Sequence, residues 1–159
     1  MIRCSQFFSF FVKKQVQALL QFGKIALSMP LEAVSILVVD DEPALLESMR
    51  SYLLRLGHKV TAFRNAATAW ESLASQDPAP SVVIVDLTLQ GMSGDEFIRK
   101  VMERDPGIAV LATSGYPTSL ETLGLPRGTH VAMLQKPFTP RMLTEALERL
   151  LRGEQGATV

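Results

Sequence analysis

Residues 37–43 read Leu37-Val38-Val39-Asp40-Asp41-Glu42-Pro43, an apolar run that stops on acids and then a proline. Unbroken apolar residues suit a strand covered on both faces, and proline is tolerated in the first turn of a helix, where its missing N–H has no partner. The stretch therefore predicts a strand, a short acidic turn and a helix. Working outward from it, short apolar runs alternate with helical patterns at a steady pace, and five such units can be counted. The strand candidates are Val34 to Val39, Lys59 to Phe63, Val82 to Val85, Ile108 to Ala112 and Val131 to Leu134. Repeated βα units of this kind build a parallel α/β sheet. The run Lys59 to Phe63 is more mixed than the others, which predicts an edge strand.

The gaps carry helix signals. After Pro43, the residues Leu45, Met49, Leu53 and Leu56 form an apolar face that ends before Gly57. A second helix is expected to start after Asn65 as N-cap, with Ala66, Ala69, Trp70 and Leu73, and to end before Asp77-Pro78-Ala79-Pro80. Ser93 and Glu96 have capping-box spacing ahead of Phe97, Ile98 and Val101. Thr139-Pro140 opens a last helix with Leu143, Ala146, Leu147 and Leu150 on one face. Between Pro117 and Gly128 only about Ser119 to Leu123 can coil, so the fourth helix is expected to be short or frayed. Trp70 and Phe97 are expected in the core, Tyr116 as a partly exposed aromatic, and His58 and His130 at the surface.

A chain of 159 residues with 47% hydrophobic and 20% charged residues has apolar material for one core and no room for two full domains. Sixteen basic against sixteen acidic residues give no net charge, which argues against nucleic-acid binding through a general basic field. The single cysteine, Cys4, excludes an internal disulfide or a multi-cysteine metal site and is expected to be inert; a reducing cytoplasmic setting fits. No apolar run reaches the roughly 18 residues that span a bilayer as a helix. Charge is uneven along the chain. Residues 1–31 carry Arg3, Lys13, Lys14 and Lys24 and no acid, so the remainder has twelve bases against sixteen acids, a net of −4.

In open parallel α/β sheets, active groups collect beyond the carboxyl ends of the strands. There the chain places Asp40-Asp41 after the first strand, Asp86 after the third, Thr113-Ser114 after the fourth and Lys136-Pro137 after the fifth. Gathered carboxylates repel one another unless a cation neutralises them. The donors are all oxygens, which favours Mg²⁺, or Mn²⁺, over Zn²⁺. With Lys136 added, such a site suits a dianionic phosphoryl group and a carboxylate nucleophile, for which Asp86 is best placed.

Taken together, these residues carry a resemblance. Leu37 to Pro43, Val85-Asp86-Leu87 with Gly91-Met92-Ser93-Gly94, Thr113-Ser114-Gly115-Tyr116 and Gln135-Lys136-Pro137-Phe138 resemble, in order, the receiver domain of two-component response regulators. The match covers about Val34 to Leu151, with intervals of 45 residues from Asp41 to Asp86 and 50 from Asp86 to Lys136. The resemblance implies a doubly wound, flavodoxin-like (βα)5 fold with strand order 2-1-3-4-5. It also implies that Asp86 accepts a phosphoryl group from a sensor histidine kinase or a histidine phosphotransfer protein, and passes the signal to a downstream protein target. Asp40, Asp41, Asp86 and the backbone carbonyl of Thr88 would hold Mg²⁺, and Lys136 would pair with a phosphate oxygen. Ser114, which lies 22 residues before Lys136, is preferred to Thr113 as the switching hydroxyl, and the Lys136-Pro137 bond is usually cis in this family.

Three features depart from the family pattern. Gln90 stands where the loop commonly has proline, Met133 where many members place an aromatic, and the fourth helix is short. A phosphate-independent module of the same fold is one alternative, but its usual mark is loss of an acid or of the lysine, and neither is lost. An aspartyl-phosphate hydrolase is another, but it normally needs an acid two residues after the nucleophile, where this chain has Thr88.

The expected organisation is a basic leader over residues 1–33, the receiver over 34–152 and a flexible tail over 153–159. In the leader, Val12, Val16, Leu19, Leu20, Gly23 and Leu27 share a helical face, as in a basic interfacial helix that touches a membrane. Packing on the domain or a partner, or dimerisation, is favoured over that reading, and a true start at Met29 or a disordered leader is favoured over both.

Overall fold

The computed structural model describes residues 32–118, 123–125 and 128–153. Within them the order is β1 (Ser35–Val39), α1 (Pro43–Arg55), β2 (Lys59–Phe63), α2 (Ala66–Ser75), β3 (Val82–Asp86), α3 (Gly94–Arg104), β4 (Ala109–Ser114), β5 (Val131–Gln135) and α4 (Pro140–Leu151). All strand pairs are parallel, and the sheet order is β2-β1-β3-β4-β5. The mixed strand β2 is at an edge, as its composition predicts. Residues 1–31 of the leader, the stretch 119–122 on which most of the short helix was expected, and residues 154–159 of the tail lie outside the described residues.

Successive strand side chains point to opposite faces, so each strand feeds two cores. Leu37, Val39, Val83, Val85, Val110, Ala112, Val131 and Met133 pack with α2 and α3. Ile36, Val38, Val82, Ile84, Ala109, Leu111, Ala132 and Leu134 pack with α1 and α4. Burial on both sides explains why β1, β3, β4 and most of β5 read as near-continuous apolar runs.

The helix caps follow their side chains. Asn65 accepts from the Thr68 N–H at 2.9 Å, Ser93 from Glu96 at 3.4 Å and Thr139 from Met142 at 3.3 Å. Each such cap is worth about 1 kcal/mol. Gly57 takes φ +92° just beyond α1, the left-handed conformation that glycine enters without a Cβ penalty. The Lys136-Pro137 bond is cis, and so is Asp77-Pro78.

Three expectations need correction. The buried face of α1 is Leu46, Met49 and Leu53, while Leu45 is only partly covered and Leu56 is 43% exposed. Met49 and Leu53 belong to both faces; the seating of the helix on the sheet buries Leu46 in place of Leu45, and Leu56 has already left the helix as its C-cap. His58 is buried, at 4% exposure, whereas His130 is exposed as expected. The His58 backbone caps α1 through Leu53, and its ring Nδ1 accepts from the Val34 N–H at 3.4 Å, so it plugs the start of the sheet. Trp70 is partly buried rather than in the core proper; it packs against the α2/α3 core with Lys100 Nζ 5.7 Å from its ring centre.

Candidate functional site

The loops that follow β1, β3, β4 and β5 meet at one end of the sheet, and the strand periodicity decides what they present. On the α1/α4 face the core series run Ile36, Val38; Val82, Ile84; Ala109, Leu111; and Ala132, Leu134. The next members, two residues on, are Asp40, Asp86, Thr113 and Lys136. The polar site is therefore the continuation of one core face past the point where helices cover it. Ladder bonds fix the ends: the Asp40 N–H donates to the Phe63 carbonyl at 3.1 Å, Leu87 to Thr113 at 2.9 Å and Lys136 to Ser114 at 2.8 Å.

Asp40 and Asp86 are buried, at 0% and 2% exposure, with Asp41 partly covered beside them. Oxygens of these three carboxylates lie within 4.8 Å of one another. Lys136 Nζ donates to Asp40 Oδ2 at 2.8 Å and to Asp86 Oδ2 at 2.7 Å. The second Asp86 oxygen accepts from Thr88 twice, from the N–H at 3.0 Å and the hydroxyl at 2.9 Å. Asp40 Oδ1 accepts the Glu42 N–H at 2.9 Å, which supports the turn into α1.

Burial pushes the Asp40 carboxyl above the ordinary aspartate pKa and the Asp86 charge adds to the rise, although hydrogen bonds from Lys136 and the Glu42 N–H pull the other way. Burial also opposes the Lys136 charge, but the hydrogen bonds and charges of Asp40 and Asp86 together outweigh it and leave that pKa raised. Three carboxylates against one ammonium leave an excess of two negative charges. A small dication matches that excess, and the all-oxygen donor set suits Mg²⁺ or Mn²⁺.

The structure therefore brings together Asp40, Asp41, Asp86, Thr88 and Lys136. It treats the two hydroxyl candidates differently. Thr113 is in register with Asp86, and its hydroxyl donates to the Val85 carbonyl at 3.5 Å, inside the sheet. Ser114 belongs to the opposite face series, Val110 and Ala112, which also holds Met133. Its hydroxyl donates to the Tyr116 carbonyl at 2.9 Å and accepts the Tyr116 N–H at 3.1 Å. Neither hydroxyl bonds Asp86. Tyr116 itself is 71% exposed.

Two contributors escaped the sequence reading. The Thr88 hydroxyl bonds the Asp86 carboxylate directly, a contact its position two residues after Asp86 could have suggested. Gly94 is buried where a Cβ would overlap the Asp86 carbonyl oxygen and lie 2.6 Å from Leu87 Cα. Only glycine lets α3 approach the strand end so closely.

The family model of the response regulator receiver domain matches residues 36–148. The chain belongs to this receiver family. It is 34% identical over 131 residues to the response regulator Rre1 of Synechocystis, spanning 80% of this chain and 55% of that protein. To a chemotaxis protein CheY homolog of Campylobacter jejuni it is 32% identical over 128 residues, spanning 77% of this chain and 96% of that one. The chain thus spans about half the length of some relatives and nearly all of others. A solved response regulator receiver protein from Sinorhizobium medicae shares the fold with TM-score 0.67 and 35% identity, over 79% of this chain and 99% of that one. The receiver is accordingly a signalling domain of two-component systems. No helix among its described residues is long and apolar enough to cross a membrane.

Proposed function

We propose that Asp86 is the phosphoacceptor of this receiver, and that residues 34–152 form the unit that carries the reaction. The observation that supports it most is the pair of bonds from Lys136 Nζ to Asp40 and Asp86, residues 96 and 50 positions away in sequence. Asp40, Asp41, Asp86 and the Thr88 carbonyl would hold Mg²⁺. When bound, the ion neutralises charge on the phosphoryl oxygens. The chain's own groups do the rest. Thr88 fixes one Asp86 oxygen and thereby orients the carboxylate, while Lys136 leaves Asp86 to pair with an incoming phosphoryl oxygen. The Asp86 oxygen forms a bond to phosphorus as the bond from phosphorus to the donor's imidazole nitrogen breaks. That electron pair stays on the nitrogen, which takes up a proton.

Ser114 suits the switching role better than Thr113. Thr113 sits between β3 and β5 with its hydroxyl committed to β3, so moving it would disturb the ladder. Ser114 is the last residue of β4, and its hydroxyl holds only its own turn. Drawn toward a phosphoryl group, it would release Tyr116 and displace the loop. The donor is a sensor histidine kinase or a histidine phosphotransfer protein, and the readout is a change in contacts with a protein target; the chain itself contacts no nucleic acid, acts in the cytoplasm and is not an enzyme with an external substrate.

The test is mass spectrometry after incubation with Mg²⁺ and phosphoramidate. The expected result is one added phosphoryl group in the natural chain and none in Asp86→Asn. Unchanged labelling of Asp86→Asn would reject the nucleophile.

A further inference from the structure

Beside the acidic trio opens a cavity of about 460 Å³ lined by Asp41, Arg64, Asn65 and Gln90. Its geometry is tied to the site. Arg64 directly follows Phe63, whose carbonyl receives the Asp40 N–H, so the end of β2 is pinned against the acids. Asn65 has its Oδ1 taken twice, by the N–H and the hydroxyl of Thr68, which leaves its NH₂ as a donor. Arg64 is exposed and is paired with no carboxylate among the described residues. Among the described residues it is the only cation in the lining, and Asp41 is shared between the cavity and the acidic trio.

Charge bookkeeping gives this cation a task. The three carboxylates, Lys136 and a bound dication sum to zero. A dianionic phosphoryl group arriving from a donor takes the site to −2, with Lys136 and the dication already committed. We infer that Arg64, with the amides of Asn65 and Gln90, forms a phosphoryl-recruiting subsite that attracts the donor's dianionic end before transfer and weakens Mg²⁺ binding in its absence. The inference rests on Asp86 as phosphoacceptor and adds a specificity-determining residue on the β2 side of the site. Arg64 is a positioning residue: it forms no bond to the reacting atoms.

The two halves of the inference have opposite signs, which damage to the fold would not produce. A cation about one Debye length from a divalent ion, roughly 8 Å, changes the affinity for that ion by about two- to five-fold. In the full chain, Arg64→Gln should raise KM for phosphoramidate about two- to five-fold and tighten Mg²⁺ binding, read by calorimetry, by a similar factor. Arg64→Lys should restore most of both, and both shifts should shrink in high salt. An unchanged KM, an unchanged Mg²⁺ affinity, or a loss in both would overturn the assignment of Arg64. Failure of the natural chain to label, or labelling that survives Asp86→Asn, would instead overturn the phosphoacceptor assignment beneath it.

Discussion

Gly94→Ala is the sharpest test of how the site is assembled. Gly94 opens α3 against the end of β3, and the added methyl would overlap the Asp86 carbonyl oxygen and lie 2.6 Å from Leu87 Cα. Carbon atoms in contact prefer about 3.5–4.0 Å, so helix and strand must separate by about 1 Å. Both obstacles are backbone, and no flexible side-chain end can yield. Overpacking of a well-filled interior typically costs about 1–3 kcal/mol, and a clash with backbone on both sides belongs at the upper end, about 3 kcal/mol. At about 4 °C or more per kcal/mol for a small domain, Tm should fall by about 10 °C or more. Urea and thermal unfolding followed by circular dichroism read the loss. The displaced carbonyl is that of Asp86, so the phosphoramidate labelling rate should drop as well. A variant within about 0.5 kcal/mol of the natural chain, labelling at the natural rate, would show that the close approach of α3 does not hold the acceptor in place.

Asp40→Asn should stabilise the chain at neutral pH while weakening Mg²⁺ binding. The raised pKa of Asp40 means its favourable contribution to folding is present below pH 3.8 and lost as pH rises from there through the folded value, so the advantage of the variant should grow over that window in urea titrations. For His58 burial lowers the pKa from 6.5, so stability is full above that value and falls as pH drops through it toward the folded pKa. In His58→Asn this acid-side loss should be absent; an equal pH slope in both proteins would refute the burial argument. Ser114→Ala should keep Mg²⁺ binding and labelling at Asp86 but lose the shift of the Tyr116 amide resonance on phosphorylation. Thr113→Ala should instead lower stability, by about 1 kcal/mol for the lost buried hydroxyl bond, and retain that shift.

Most of the fold was legible because both sheet faces are covered, and burial on two sides writes strands as apolar blocks at regular intervals. The caps at Asn65, Ser93 and Thr139 were equally plain, since each depends on one side chain and the N–H three positions on. What periodicity could not supply was the rotation of α1. Leucines occur all around it at 45, 46, 53, 54 and 56, and only the position of the helix on the sheet selects Leu46 and Leu53. The burial of His58 was hidden for a similar reason: a polar residue before an edge strand looks solvent-facing until the Val34 N–H is seen to need an acceptor. At the site, the acids and lysine could be read from strand ends. The Thr88 hydroxyl, two residues after Asp86, was within reach of local spacing, whereas the clearance at Gly94 and the neighbourhood of Arg64 depend on distances between separate segments, which no spacing along the chain encodes.

The alternation of side chains does separate the two hydroxyls, and it carries further than their position in the sequence. A residue continuing the α1/α4 series enters the acidic rim, as Asp40, Asp86 and Lys136 do, while one continuing the other series faces α2 and α3. Thr113 falls in the first class and is held by the sheet; Ser114 falls in the second, on the face that holds buried Met133. A signal that begins on the rim must cross from one face to the other to alter the α2/α3 surface, and a residue at the last position of β4 is where that crossing requires only a loop to move. Residue 133, buried on that face, is methionine rather than an aromatic, a flexible thioether chain with no fixed ring to reorient. If Ser114 is the switching hydroxyl, its displacement would break its two bonds to Tyr116 while a methionine at residue 133 imposes no single rotamer. On that proposal, the exposed ring of Tyr116, rather than a buried ring on β5, is the side chain whose surroundings should change most when the acceptor is loaded.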